Sequence, residues 1–98
     1  MFFVNKSLSI QPGESVFIKY KNGILAPLVK AIVDEVFNAG GVPYVKMEDL
    51  ELKNMLIEKY GKESAKILAL QRKFEIENFD ASISIGYQVD LDKRKPNP

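Results

Sequence analysis

The chain has 98 residues, 46% of them hydrophobic, and a formal net charge of +1. That length holds one small domain, and so even a charge balance removes any global attraction for nucleic acid or a membrane surface. There is no cysteine and no histidine, which excludes disulfides, thiolate zinc sites, cysteine nucleophiles and the usual general base at neutral pH, and fits a cytoplasmic protein.

Residues 1–10, MFFVNKSLSI, place apolar side chains at 3, 4, 8 and 10, a pattern compatible with a short helix or its last turns. A helix beginning at Met1 without a cap would read as cut off from something upstream. The run Met1–Val4 is too short for a signal peptide or a membrane span. QPGES is a turn, with Pro12 and Gly13 suited to the two central positions of type II.

Residues 15–47 then form a strand–helix–strand unit. SVFIKY and VPYVKM are short runs rich in β-branched and aromatic residues, bounded by Asn22–Gly23 and Gly40–Gly41. Between them Leu25, Leu28, Val29, Ile32, Val33 and Val36 recur at the spacing of one helix face, with Lys30, Asp34, Glu35 and Asn38 falling away from it. Pro27 is tolerable only in a first turn, so it marks the helix start. Gly40 or Gly41 supplies the left-handed residue that closes it. Two strands joined through a helix are parallel, with a right-handed crossover.

After Met47, the acidic Glu48 and Asp49 suit a helix start. LELKNMLIEKY continues as helix, with Leu52, Met55, Leu56 and Tyr60 as a buried edge, and Gly61 ends or kinks it. Residues 63–78 form a further helix with an apolar face at Ile67, Leu70, Gln71 and Phe74, widened by Leu68 and Ile76. DASISI is a third strand, with Ile83 and Ile85 on one face and Ser82 and Ser84 on the other. The reading is an α/β fold: a three-layer, Rossmann-like parallel sheet of three strands in the order 2-1-3, with helices. Such sheets seldom stop at three strands, and here one edge would be bare. The chain therefore reads as a single α/β domain over 1–98, part of a larger doubly wound one, with a solvated tail at 93–98.

Candidate chemistry is sparse. Gly40–Gly41 precedes a strand, whereas phosphate-binding glycine loops follow a strand and open a helix, so it is a helix stop. Asn22–Gly23 does lie after the first strand, where open α/β sheets bind ligands, but one glycine is no phosphate cradle. Asp90 and Asp92 form a D-x-D pair able to touch a cation; without further ligands they read as part of a solvated tail. Glu48, Asp49 and Glu51 are explained as helix N-terminal charge. Ser82 and Ser84 have no base to activate them. Lys93, Arg94 and Lys95 are too few for nucleic-acid binding. Phe2, Phe3 and Phe79 suit packing better than base stacking. No residue of the chain is assigned a catalytic, cofactor-binding or metal-binding role.

The run from Val4 to Met47 resembles the amino-terminal region of the aminopeptidase T / aminopeptidase S family of metallo-aminopeptidases. There an "LVnysl"-like stretch runs into "kPGe.V.I", a helix of "LvraiveeaykaG" type, and "a.PyV". The matching residues are Val4-Asn5-Lys6-Ser7-Leu8, Gln11-Pro12-Gly13-Glu14, Val16–Tyr20, Leu28–Phe37, Ala39-Gly40 and Pro43-Tyr44-Val45, with Ala81–Ile85 as the later "AxIsI" strand. The resemblance implies the non-catalytic amino-terminal domain of a cytoplasmic enzyme that removes amino-terminal residues from peptides. It implies two divalent metal ions held by Glu, His and Asp in a downstream catalytic domain, with which this chain would partner, and a homo-oligomer. No position here matches those ligands, so no site residue is carried over, and the domain is expected to be inactive alone. Family members usually carry a longer helix ahead of the first motif.

Two other readings stand beside this one. The chain would alternatively be a stand-alone α/β interaction module, self-associating through its open strand edge or through Phe2 and Phe3. By fold analogy alone it would bind a small molecule or nucleotide at the strand carboxyl ends.

Overall fold

The computed structural model describes residues 9–93. The helix expected over 1–10, and with it Phe2 and Phe3, falls almost wholly outside that range, as do Arg94 and Lys95. The elements are β1 (Ser15–Tyr20), a 3-10 turn (Gly23–Leu25), α1 (Ala26–Asn38), β2 (Val42–Met47), α2 (Leu50–Tyr60), α3 (Lys62–Asn78), β3 (Ala81–Ile85) and β4 (Val89–Lys93). They make a mixed α/β fold around one four-stranded sheet, ordered β2-β1-β3-β4. β1 pairs in parallel with both β2 and β3, and β4 runs antiparallel to β3.

The strand–helix–strand unit forms as its pattern dictates. Gly13 has φ +86°, and the Glu14 amide donates to the Gln11 carbonyl at 3.1 Å, closing the turn over Pro12–Gly13. Pro27 sits in the first turn of α1. Gly40, at φ +88°, is the left-handed residue that ends the helix. Gly41 has a separate reason to be glycine: a Cβ there would stand 2.8 Å from Ile10 and 2.9 Å from Val36.

Register divides the sheet into two unlike faces. Val16, Ile18, Ala81, Ile83 and Ile85 point to the side covered by α1, where Val29, Ile32 and Val36 bury against them together with Ile10. The opposite face carries Phe17, Lys19, Tyr44, Lys46, Ser82 and Ser84. There Phe17 packs edge-on to Phe79 at 5.0 Å and to Tyr44 at 5.6 Å, so Phe79 does serve packing. α3 reaches this face through Glu75, its buried residue, whose carboxylate meets Lys19 at 3.3 Å and Arg72 at 3.5 Å.

Five expectations change. The sheet has a fourth strand: Val89 and Leu91 pack against the apolar core while Asp90 and Asp92 point to the polar face, an alternation hidden in sequence by the charged, proline-containing segment that follows. β3 is consequently not an edge. Lys93, assigned to a solvated tail, is the last residue of β4, and its ammonium donates to the Ser9 carbonyl at 2.7 Å and pairs with Glu14 at 2.9 Å. Glu35, placed on the polar side of α1, is buried. The apolar faces expected on α2 and α3 are largely uncovered: Ile67, Leu70 and Phe74 are 65%, 61% and 57% exposed, and Leu52, Met55, Leu56 and Tyr60 are exposed too. Gly61, with φ +45° and ψ −107°, separates α2 from α3 as two helices.

Candidate functional site

The strand order places a topological switch point between β1 and β3: the chain leaves β1 toward β2 on one side, while β3 lies on the other. In open α/β sheets the crevice outside the strand carboxyl ends at such a point is where ligands bind. A cleft of about 560 Å³ opens there, lined by Lys21, Leu25, Leu50, Ser84, Tyr87 and Asp90 among others. That volume lies within the range of small-molecule pockets, roughly 300–1,000 Å³.

Its walls follow from local structure. The Lys21 amide donates to the Ile85 carbonyl at 3.1 Å, prolonging the β1–β3 pairing by one step. Asn22 then caps the 3-10 turn, its side-chain oxygen accepting from the Ile24 amide at 3.0 Å. This holds Ile24 and Leu25 along one wall. Gly86–Gln88 is the β3–β4 turn, closed by the Gly86 amide donating to the Gln88 carbonyl at 3.0 Å, and it presents a fully exposed Tyr87 at the rim. Leu50 enters from the start of α2, where Asp49 caps the helix by accepting from the Leu52 amide at 3.0 Å.

The charges are unevenly matched. Lys21 donates to Glu48 at 2.7 Å, and Lys53 approaches the same carboxylate oxygen at 3.5 Å. Partial burial pushes the Glu48 carboxyl up, but the Lys21 hydrogen bond and the positive charges of Lys21, Lys53 and Lys19 outweigh it, holding the group below its ordinary value of 4.5. The cation of the cleft thus shares one carboxylate with a second lysine. Asp90 accepts from the Gln88 side-chain amide at 3.1 Å and has no cationic partner among the described residues. Ser84 stands opposite Asp90 in the β3–β4 register.

The candidates raised by sequence are scattered by this arrangement. Asn22 reaches the cleft as a turn cap, Ser84 and Asp90 line it, and Asp92 turns aside to Arg72 at 3.8 Å. Ser82 is buried in the sheet. Asp49 and Glu51 do serve the start of α2, whereas Glu48 is an ion-pair centre instead. Lys21, Leu50 and Tyr87 were not singled out; the signal for Tyr87 is a turn between two alternating runs, ASISI and VDLDK. Among the described residues no group of three His, Cys, Asp or Glu is placed to hold a metal ion. No helix of the described residues is long and apolar enough to cross a membrane. Comparison with protein-family models, curated proteins and solved structures found no match.

Proposed function

We propose that this chain is a non-catalytic, Rossmann-like α/β domain of a metal-dependent aminopeptidase, built to dock against the catalytic domain of the same enzyme. The observation that carries the reading is the uncovered apolar surface of α2 and α3. Met55, Leu56, Ile67, Leu70 and Phe74 are large, exposed hydrophobic residues on two consecutive helices, and surfaces of that kind mark interaction sites. The occupant is a further domain of one chain, as the resemblance over Val4–Met47 implies. Chemistry then belongs to the partner domain, where paired cations would polarise the scissile carbonyl and activate water.

The test is an assay of the complete gene product on amino-acid anilides, with and without a divalent cation. Metal-dependent release of amino-terminal residues is the expected result; its absence contradicts the assignment. The 98-residue chain assayed alone is expected to be inactive.

A second reading, a self-associating module without catalysis, is favoured by the β2 edge. β2 lies at the end of the sheet, with Val42, Tyr44, Val45 and Met47 exposed along it, an open template for pairing with another strand. Sedimentation of the chain at high concentration as a clean monomer would remove this reading.

A further inference from the structure

We infer that the cleft at the carboxyl ends of β1 and β3 is a binding site for a small primary amine carried on an apolar body. The inference is independent of the peptidase assignment. Three observations on one site converge. First, the cleft stands at the topological switch point and its walls are mainly apolar, with Ile24, Leu25 and Leu50 along them and Tyr87 at the rim. Second, its ammonium group is already committed to a carboxylate: Lys21 holds Glu48 at 2.7 Å. Third, the cleft keeps a carboxylate, Asp90, which accepts from a neutral amide, that of the Gln88 side chain, at 3.1 Å.

The same features argue against a phosphate or nucleotide. An anion would meet the Asp90 carboxylate, while the Lys21 ammonium is held by Glu48 at 2.7 Å. The turn after β1 directs its Ile24 amide to Asn22, and Pro27 removes one N–H from the first turn of α1, so the loop makes no cradle of free amides. A protonated amine, by contrast, places its donors on Asp90 Oδ and on the Ser84 hydroxyl beside it, while the apolar portion displaces water from Ile24, Leu25 and Leu50. Tyr87 offers a ring face to the cation. Asp90 is solvent-exposed, so the charge contributes selectivity of up to about fivefold rather than several orders of magnitude.

The test is NMR titration of the full chain with 2-phenylethylamine, 2-phenylethanol and 3-phenylpropionate. The amine is expected to bind about two- to fivefold more tightly than the alcohol, with a larger margin over the acid. Its amide shifts are expected at Ile24, Leu50, Tyr87 and Asp90. Asp90→Asn should erase the preference for the amine while leaving the spectrum of the free protein otherwise intact. Asp34→Asn, on α1 outside the cleft, should leave binding unchanged. Equal binding of the amine and the alcohol, preference for the acid, shifts confined to other surfaces, or an Asp90→Asn variant that keeps the preference would each overturn the inference.

Discussion

Glu75 shows how much one buried charge decides here. α3 offers the sheet few apolar contacts, and its buried residue is a carboxylate seated between Lys19 and Arg72. Removing one partner of a buried pair strands the other, at a cost of about 3 kcal/mol. Glu75→Ala is therefore expected to lower stability by that order in urea unfolding, and Glu75→Gln by less, since the amide still accepts from Lys19. An Ala variant as stable as the parent would show that α3 is held by something else. Gly41→Ala should cost ~1–3 kcal/mol by forcing a Cβ against Ile10 and Val36. Glu48 gives the pH dependence. A carboxyl held below its ordinary value when folded takes up its proton later than the unfolded chain does, so its contribution is whole above about pH 4.5 and is lost as pH falls through the lower folded value. Glu48→Gln should flatten that acid limb of a stability-against-pH curve; an unchanged limb would contradict the Lys21–Glu48–Lys53 account.

β4 and the α2–α3 pair mark where pattern alone stops deciding. In β4, Leu91 packs against the core beside Ile83. Leu91→Ala is thus expected to destabilise by roughly 1–2 kcal/mol, as a half-buried side chain would; a neutral result would return Val89–Lys93 to the status of a tail. The strand–helix–strand unit was readable because each of its signals agreed: the Val29/Ile32/Val36 stripe, Pro27 at one end and Gly40 at the other. Within 89–93 the alternation was present, but lysine, arginine and proline immediately downstream outweighed it. For α2 and α3 the helical period was right and the burial was not. Periodicity says which residues share a face, and leaves open what that face meets. Glu35 is the converse case, a charged residue that the helix turns inward although its type points outward. The place of the cleft, after β1 at the strand carboxyl ends, is legible from Asn22–Gly23, but its walls are not, because Lys21, Leu50 and Asp90 are joined only by the strand order.

The molecule as a whole has one face sealed by α1 and another that α3 covers in part. Its exposed apolar residues are concentrated on α2, α3 and β2. If that surface exists for docking, charges placed on it should spare the isolated fold. Ile67→Glu with Leu70→Glu is expected to shift unfolding of the chain by no more than about 0.5 kcal/mol per site, and to abolish metal-dependent peptidase activity or assembly in the complete gene product. A large loss of stability would instead mean that these helices already cover one another. The most direct measurement is to read the coding frame beyond the codon for Pro98. A continuing frame that encodes a second domain bearing Glu, His and Asp is what the docking account predicts. A stop codon at that point would contradict it and leave self-association as the role of the exposed surface.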